Sequence, residues 1–95
     1  NELTISAASL WEITMKAQKG GLPIPEPEDW LTSAIRSLGA GVASIHAAHV
    51  YRTYRLPLLH RDPFDRLLIA QAMVEGWSLV TSDAAIRQYD VETLW

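Results

Sequence analysis

The sequence contains no cysteine. That excludes disulfides and any thiolate metal site, and it fits a protein of the reducing cytoplasm. No apolar run approaches the roughly 18 residues of a membrane-spanning helix, and no signal-peptide pattern opens the chain, so a membrane role is not expected. There is no lysine after Lys19. A phosphoacceptor domain gathers acids at strand ends around Mg2+ and wants a lysine after a late strand, so that class is disfavoured. Between Trp30 and Arg61 there is neither Asp nor Glu, only Arg36, Arg52 and Arg55, with Arg61 closing the interval and His46, His49 and His60 within it. The net charge is −3, so the surface as a whole does not attract nucleic acid. The asymmetry is compatible with a basic surface beside an acidic site, and equally with scattered, solvated arginines.

What is present is ordinary for a small globular domain. The 95 residues are 48% apolar and 20% charged, which predicts one domain over residues 1–95 with a small core. The 4 tryptophans are expected to supply much of the apolar burial.

One stretch, His60 to Asp83, organises the rest. Asp62 suits an N-cap, because its carboxylate accepts from backbone N–H groups that have no helical partner. Pro63 suits the first helical position. Asp65 then falls in the first turn, where the helix dipole favours an anion. From Leu67 to Val74 the helix is apolar almost all round and is expected to be buried on most sides. Gly76 suits the left-handed position that closes a helix. Ser78 to Thr81 reads as a short buried strand with Asp83 just after it. In an open parallel sheet such carboxyl ends face the ligand.

Ahead of this stretch, Leu3 to Ser6 reads as a strand, and Ser6 or Ser9 caps a helix running to about Lys19. The proline-stiffened connector Leu22 to Pro27 follows. Glu28 and Asp29 open a helix whose Trp30, Leu31, Ala34, Ile35 and Leu38 recur at helical spacing, ended by Gly39. Gly41 to Ile45 is a second strand and His46 to Tyr54 a short helix. On that helix His46 and His49 could share a face and bind zinc, or serve packing and surface roles. After Asp83, a helix from Ala84 to about Gln88 and a terminal strand from Val91 to Trp95 complete an α/β pattern of four short strands alternating with helices.

Glu12, Asp65 and Asp83 stand at strand-to-helix junctions or in early helical turns. A parallel sheet would gather such positions at one edge. Carboxylate oxygens without sulfur suit a hard ion, Mg2+ or Mn2+. On spacing alone the bland readings hold as well: Glu12 is placed to pair with Lys16 at i,i+4, and Asp83 could simply cap the helix after it.

The segment Arg61-Asp62-Pro63-Phe64-Asp65-Arg66-Leu67-Leu68-Ile69-Ala70-Gln71-Ala72, followed by Leu79-Val80-Thr81-Ser82-Asp83, resembles the VapC-type PIN-domain ribonuclease toxins. Ser6-Ala7-Ala8-Ser9-Leu10-Trp11-Glu12-Ile13 is similar to that family's second acidic motif, and the order and spacing fit from about Leu3 to Trp95. The resemblance implies a three-layer α/β/α fold with a parallel sheet. It implies an endoribonuclease that uses Mg2+ or Mn2+ to hydrolyse RNA, leaving a 5′-phosphate and a 3′-hydroxyl. Glu12, Asp65 and Asp83 would be the catalytic, metal-binding acids. Asp62, shared with a subgroup, would mainly cap its helix and could touch the metal. Arg61 and Arg66 could meet RNA phosphates as forked donors, with ordinary surface salt bridges the competing role. Ser82 could bond an acid or water. The implied partners are RNA and a cognate antitoxin protein. A module of the same fold that only holds an antitoxin or another protein is the alternative, decided by whether the family's first-strand acid is present.

The sequence departs from the family in one place. The family's first strand and first acid have no counterpart here. That strand lies centrally, between the equivalents of Leu3–Ser6 and Ser78–Thr81, so the chain is expected to be incomplete at its N-terminus and impaired as it stands. Unpaired strand edges invite pairing with another chain. A retained N-terminal peptide, a closing-up of the strands, or exchange or pairing between two copies is therefore expected, with Leu3, Ile5, Leu79 and Val80 lining the junction.

Overall fold

The computed structural model describes residues 2–60, 62–80 and 84–94. It resolves into two compact units, residues 1–44 and 45–95. No helix among the described residues is long and apolar enough to cross a membrane.

In the first unit, β1 (Thr4–Ser6) runs straight into α1 (Ala7–Gln18). Ser6 makes the junction: its extended backbone ends the strand, and its hydroxyl accepts from the Ala8 N–H at 3.1 Å. This settles the choice between Ser6 and Ser9 in favour of Ser6. The connector leads to α2 (Pro27–Leu38), which packs against α1. Its first helical residue is Pro27, one ahead of the acids. Gly39, at φ 66°, ends it in the left-handed region. The chain then returns as β2 (Gly41–Ala43), pairing parallel to β1 with Ile5 opposite Val42. A parallel pair needs a crossover, and α1 and α2 provide it. Ala8 and Leu31 are the buried apolar residues of this unit.

The second unit is built on α4 (Pro63–Glu75). Before it come α3 (Ala47–Arg52), packed against α4, and a 3-10 turn, Thr53–Arg55. After it come β3 (Leu79–Val80), α5 (Ala84–Arg87) and β4 (Thr93–Leu94). β3 and β4 also pair parallel, Leu79 opposite Thr93 and Val80 opposite Leu94, with Ser78 bonded to Glu92 beside them. Ile69 and Ala70 on α4 are fully buried against Leu56, Ile86 and Tyr89. Burying a side chain such as Ile69 contributes roughly 1.5–3 kcal/mol. Gly76 closes α4 at φ 73°, where an added Cβ would meet nothing within 4 Å. The backbone conformation, rather than space, therefore selects glycine here.

Three sequence expectations change. The helix expected from His46 to Tyr54 is α3 plus the 3-10 turn, with His46 as N-cap. The Thr53 hydroxyl donates to the Val50 carbonyl at 2.6 Å, while the Thr53 carbonyl accepts from Arg66 at 2.9 Å and from the Leu56 N–H at 3.2 Å. Those bonds draw the last turn tight, as 3-10 geometry requires. Strand Ser78–Thr81 was expected to be buried, but Leu79 is half-buried and Val80 exposed, because the strand pairs with β4 at the surface of its unit. Thr81 lies outside the described residues. Trp11 and Trp30 are more than half exposed and do not build the core, which aliphatic residues and Tyr89 form instead. For the histidine pair the packing reading fits His49, which is buried and bonded to Glu75.

Candidate active site

The site is built at the head of α4. Asp62 sits in extended geometry, and its Oδ1 accepts from the Phe64 N–H at 2.8 Å and from the Asp65 N–H at 3.4 Å. Pro63 follows as the first helical residue, and Asp65 lies in the first turn. Both carboxylates thus stand at the N-terminal end of the helix, where its free N–H groups point.

His60 faces this turn. Its Nδ1 accepts from the Asp62 backbone N–H at 3.1 Å, and its Nε2 lies 3.1 Å from Asp65 Oδ2. A backbone N–H can only donate, so Nδ1 must be the unprotonated nitrogen. Nε2 therefore carries the proton and donates it to Asp65. The pair is mostly shielded, with the side chains 16% and 25% exposed.

The loop that carries His60 is held from two directions. Tyr89, itself buried, accepts from the backbone N–H groups of Leu59 at 3.1 Å and His60 at 2.8 Å, and its hydroxyl donates to the Pro57 carbonyl at 2.8 Å. Arg66 reaches back from α4 and donates to the carbonyls of Thr53 and Pro57, both at 2.9 Å. Arg66 thus works as a brace between α4 and the preceding loop. Nothing in its sequence position signals that.

Glu12 is on α1 in the first unit, with Oε2 3.3 Å from Lys16 Nζ. This is the i,i+4 pair that the spacing allows. Arg61, Ser82 and Asp83 lie outside the described residues. Of the predicted acids, Asp62 and Asp65 are seen together in one turn. Among the described residues no group of three or more His, Asp or Glu side chains could hold a metal ion.

Spacing assigns no role to His60 or Tyr89. The one signal for His60 is its place two residues before Asp62, within local reach of that N–H. Tyr89 has none, because its partners stand 29 to 32 residues away.

The family model described as PIN domain matches residues 1–92. The chain belongs to the PIN-domain family. Its α/β architecture, with short parallel strands and flanking helices, is of the PIN type. Ribonuclease VapC22 of Mycobacterium tuberculosis is 31% identical over 93 residues, covering 94% of this chain and 68% of that relative. This places the chain in the VapC-type branch of the PIN domains. No solved structure gives a significant match.

Proposed function

We propose that this PIN domain is a Mg2+- or Mn2+-dependent endoribonuclease, the toxin of a toxin–antitoxin pair, acting in the cytoplasm on RNA phosphodiester bonds. The observation that carries the reading is the paired acids at the head of α4, with Asp65 oriented by a histidine, inside a PIN domain related to a ribonuclease. The donor chemistry fits a hard ion, since the chain offers carboxylate oxygens and no thiolate. Glu12, Asp65 and Asp83 would hold the ion, with Asp62 chiefly capping α4. When bound, such an ion lowers the pKa of water and offsets phosphate charge. The chain itself orients Asp65 through His60 and excludes solvent from that pair. We read residues 1–95 as one domain, because the family match crosses both units.

RNA contact is assigned to Arg61, Ser82 and Arg66; the Arg66 guanidinium also donates to the Thr53 and Pro57 carbonyls. The acid-free segment adds to this. Tyr51 and Tyr54 are 74% and 92% exposed on α3 and the turn beside the exposed Arg55, and exposed aromatics next to arginine suit single-stranded nucleic acid. The protein partner is the cognate antitoxin. Self-association is the third partner reading, supported by the exposed apolar side chains Val42, Val80 and Leu94 on the strands.

The test uses the protein expressed from its full reading frame. RNA cleavage should require Mg2+ or Mn2+, and Asp65→Asn, nearly isosteric but lacking the charge, should remove most of it. Undiminished cleavage in EDTA would overturn the metal mechanism. Antitoxin capture without any cleavage would move the chain to the binding-module reading.

A further inference from the structure

We infer that His60 is a positioning residue for Asp65, fixed in one tautomer by its own loop and held there by Tyr89. The inference rests on the reading of Asp65 as an acid of the site.

Three restraints converge on His60. The Tyr89 hydroxyl takes its backbone N–H at 2.8 Å. The Asp62 N–H occupies its ring Nδ1 at 3.1 Å. Arg66 holds the carbonyl of Pro57, three residues back in the same loop, at 2.9 Å. With peptide and ring both pinned, the remaining Nε2–H has a set direction, and Asp65 Oδ2 stands in it at 3.1 Å. Asp62 serves both ends of the arrangement: its N–H fixes the imidazole and its carboxylate starts the helix that carries Asp65. A donor fixed in this way holds the Asp65 carboxylate in one rotamer. Carboxylate ligands depend on outer partners of this kind, and losing one typically costs roughly 10–100-fold in metal affinity or activity.

A purely structural histidine would satisfy the Asp62 N–H and do no more. Two substitutions separate the roles. In His60→Asn the amide oxygen occupies the place of Nδ1, so the bond to the Asp62 N–H is kept and the donor to Asp65 is lost. In His60→Gln the amide nitrogen reaches about as far as Nε2, so the donor is kept.

The experiment measures Mn2+ affinity by calorimetry on the full protein, beside RNA-cleavage kinetics and the unfolding midpoint. His60→Asn should weaken Mn2+ binding about 10–100-fold and lower kcat, with KM for RNA and the unfolding midpoint close to wild type. His60→Gln should recover most of the Mn2+ affinity. Wild-type Mn2+ affinity in His60→Asn, alongside its loss in Asp65→Asn, would overturn the positioning role and leave the site reading standing. Wild-type affinity in Asp65→Asn would instead sink the site reading, and the role of His60 with it. Nitrogen-15 shifts of the ion-free wild-type protein add a readout that needs no variant. They should show Nε2 protonated and Nδ1 bare, and the opposite tautomer would overturn the inference.

Discussion

α4 carries a histidine–carboxylate pair at each end, and the two are chemically alike. At the head, His60 bonds Asp65; at the tail, His49 bonds Glu75 at 2.8 Å. In both, Nδ1 accepts a nearby backbone N–H, from Asp62 in one case and from His46 at 2.9 Å in the other. In both, Nε2–H is left to donate to the acid. The surroundings separate them. Asp65 stands where the helix dipole favours a negative charge, and Glu75 stands in the last turn, where the dipole opposes one. His49 is 1% exposed and ties α3 to α4, so its bond serves the packing. His60 sits at the end of a braced loop beside a second acid, Asp62, so its bond fixes one of two carboxylates at the head of the helix. A histidine–carboxylate pair thus takes its setting from its helix end and its neighbours.

The largest expected effect tests the head of the helix. Asp65→Asn should lower metal-dependent RNA cleavage by more than the roughly 10–100-fold typical of losing an outer-shell partner, while Glu75→Gln leaves it unchanged in the same assay. A comparable loss in both would erase the distinction. His49→Ala tests the tail. It removes a buried ring together with its bonds to the His46 N–H and to Glu75, each bond worth a net ~0.5–1.5 kcal/mol. Urea unfolding should show that loss, with Mn2+ affinity untouched. Tyr89→Phe bears on the loop alone. Losing the acceptor of the Leu59 and His60 N–H groups should cost about 1–3 kcal/mol and speed hydrogen exchange at those amides, leaving the His46 amide as it was. The smallest effect concerns an acid without a histidine. Lys16→Ala should cost only ~0.2–0.5 kcal/mol by thermal unfolding, since the Glu12 pair is a local helix contact. A much larger loss would give Lys16 a second task.

The head of α4 was legible in the sequence because its signals are local. Asp62, Pro63, Asp65 and Gly76 each act on backbone within a few residues, so composition and order suffice to place them. The junction at Ser6 was legible for the same reason, down to two candidate caps. Trp11 and Trp30 misled, because an apolar side chain does not say whether enough structure surrounds it to enclose it. Val80 misled likewise: an apolar run carries no record of which side its partner strand takes.

The sequence by itself determined where helices start and stop, the parallel α/β pattern, and the carboxylates worth examining. These follow from backbone geometry and charge at short range. Only the tertiary structure decided what the histidines do, that Arg66 braces a loop, and that Tyr89 anchors the backbone of His60. A ring nitrogen's role is set by whichever donor or acceptor lies within about 3 Å, and for Tyr89 that partner comes from 29 residues away in the chain.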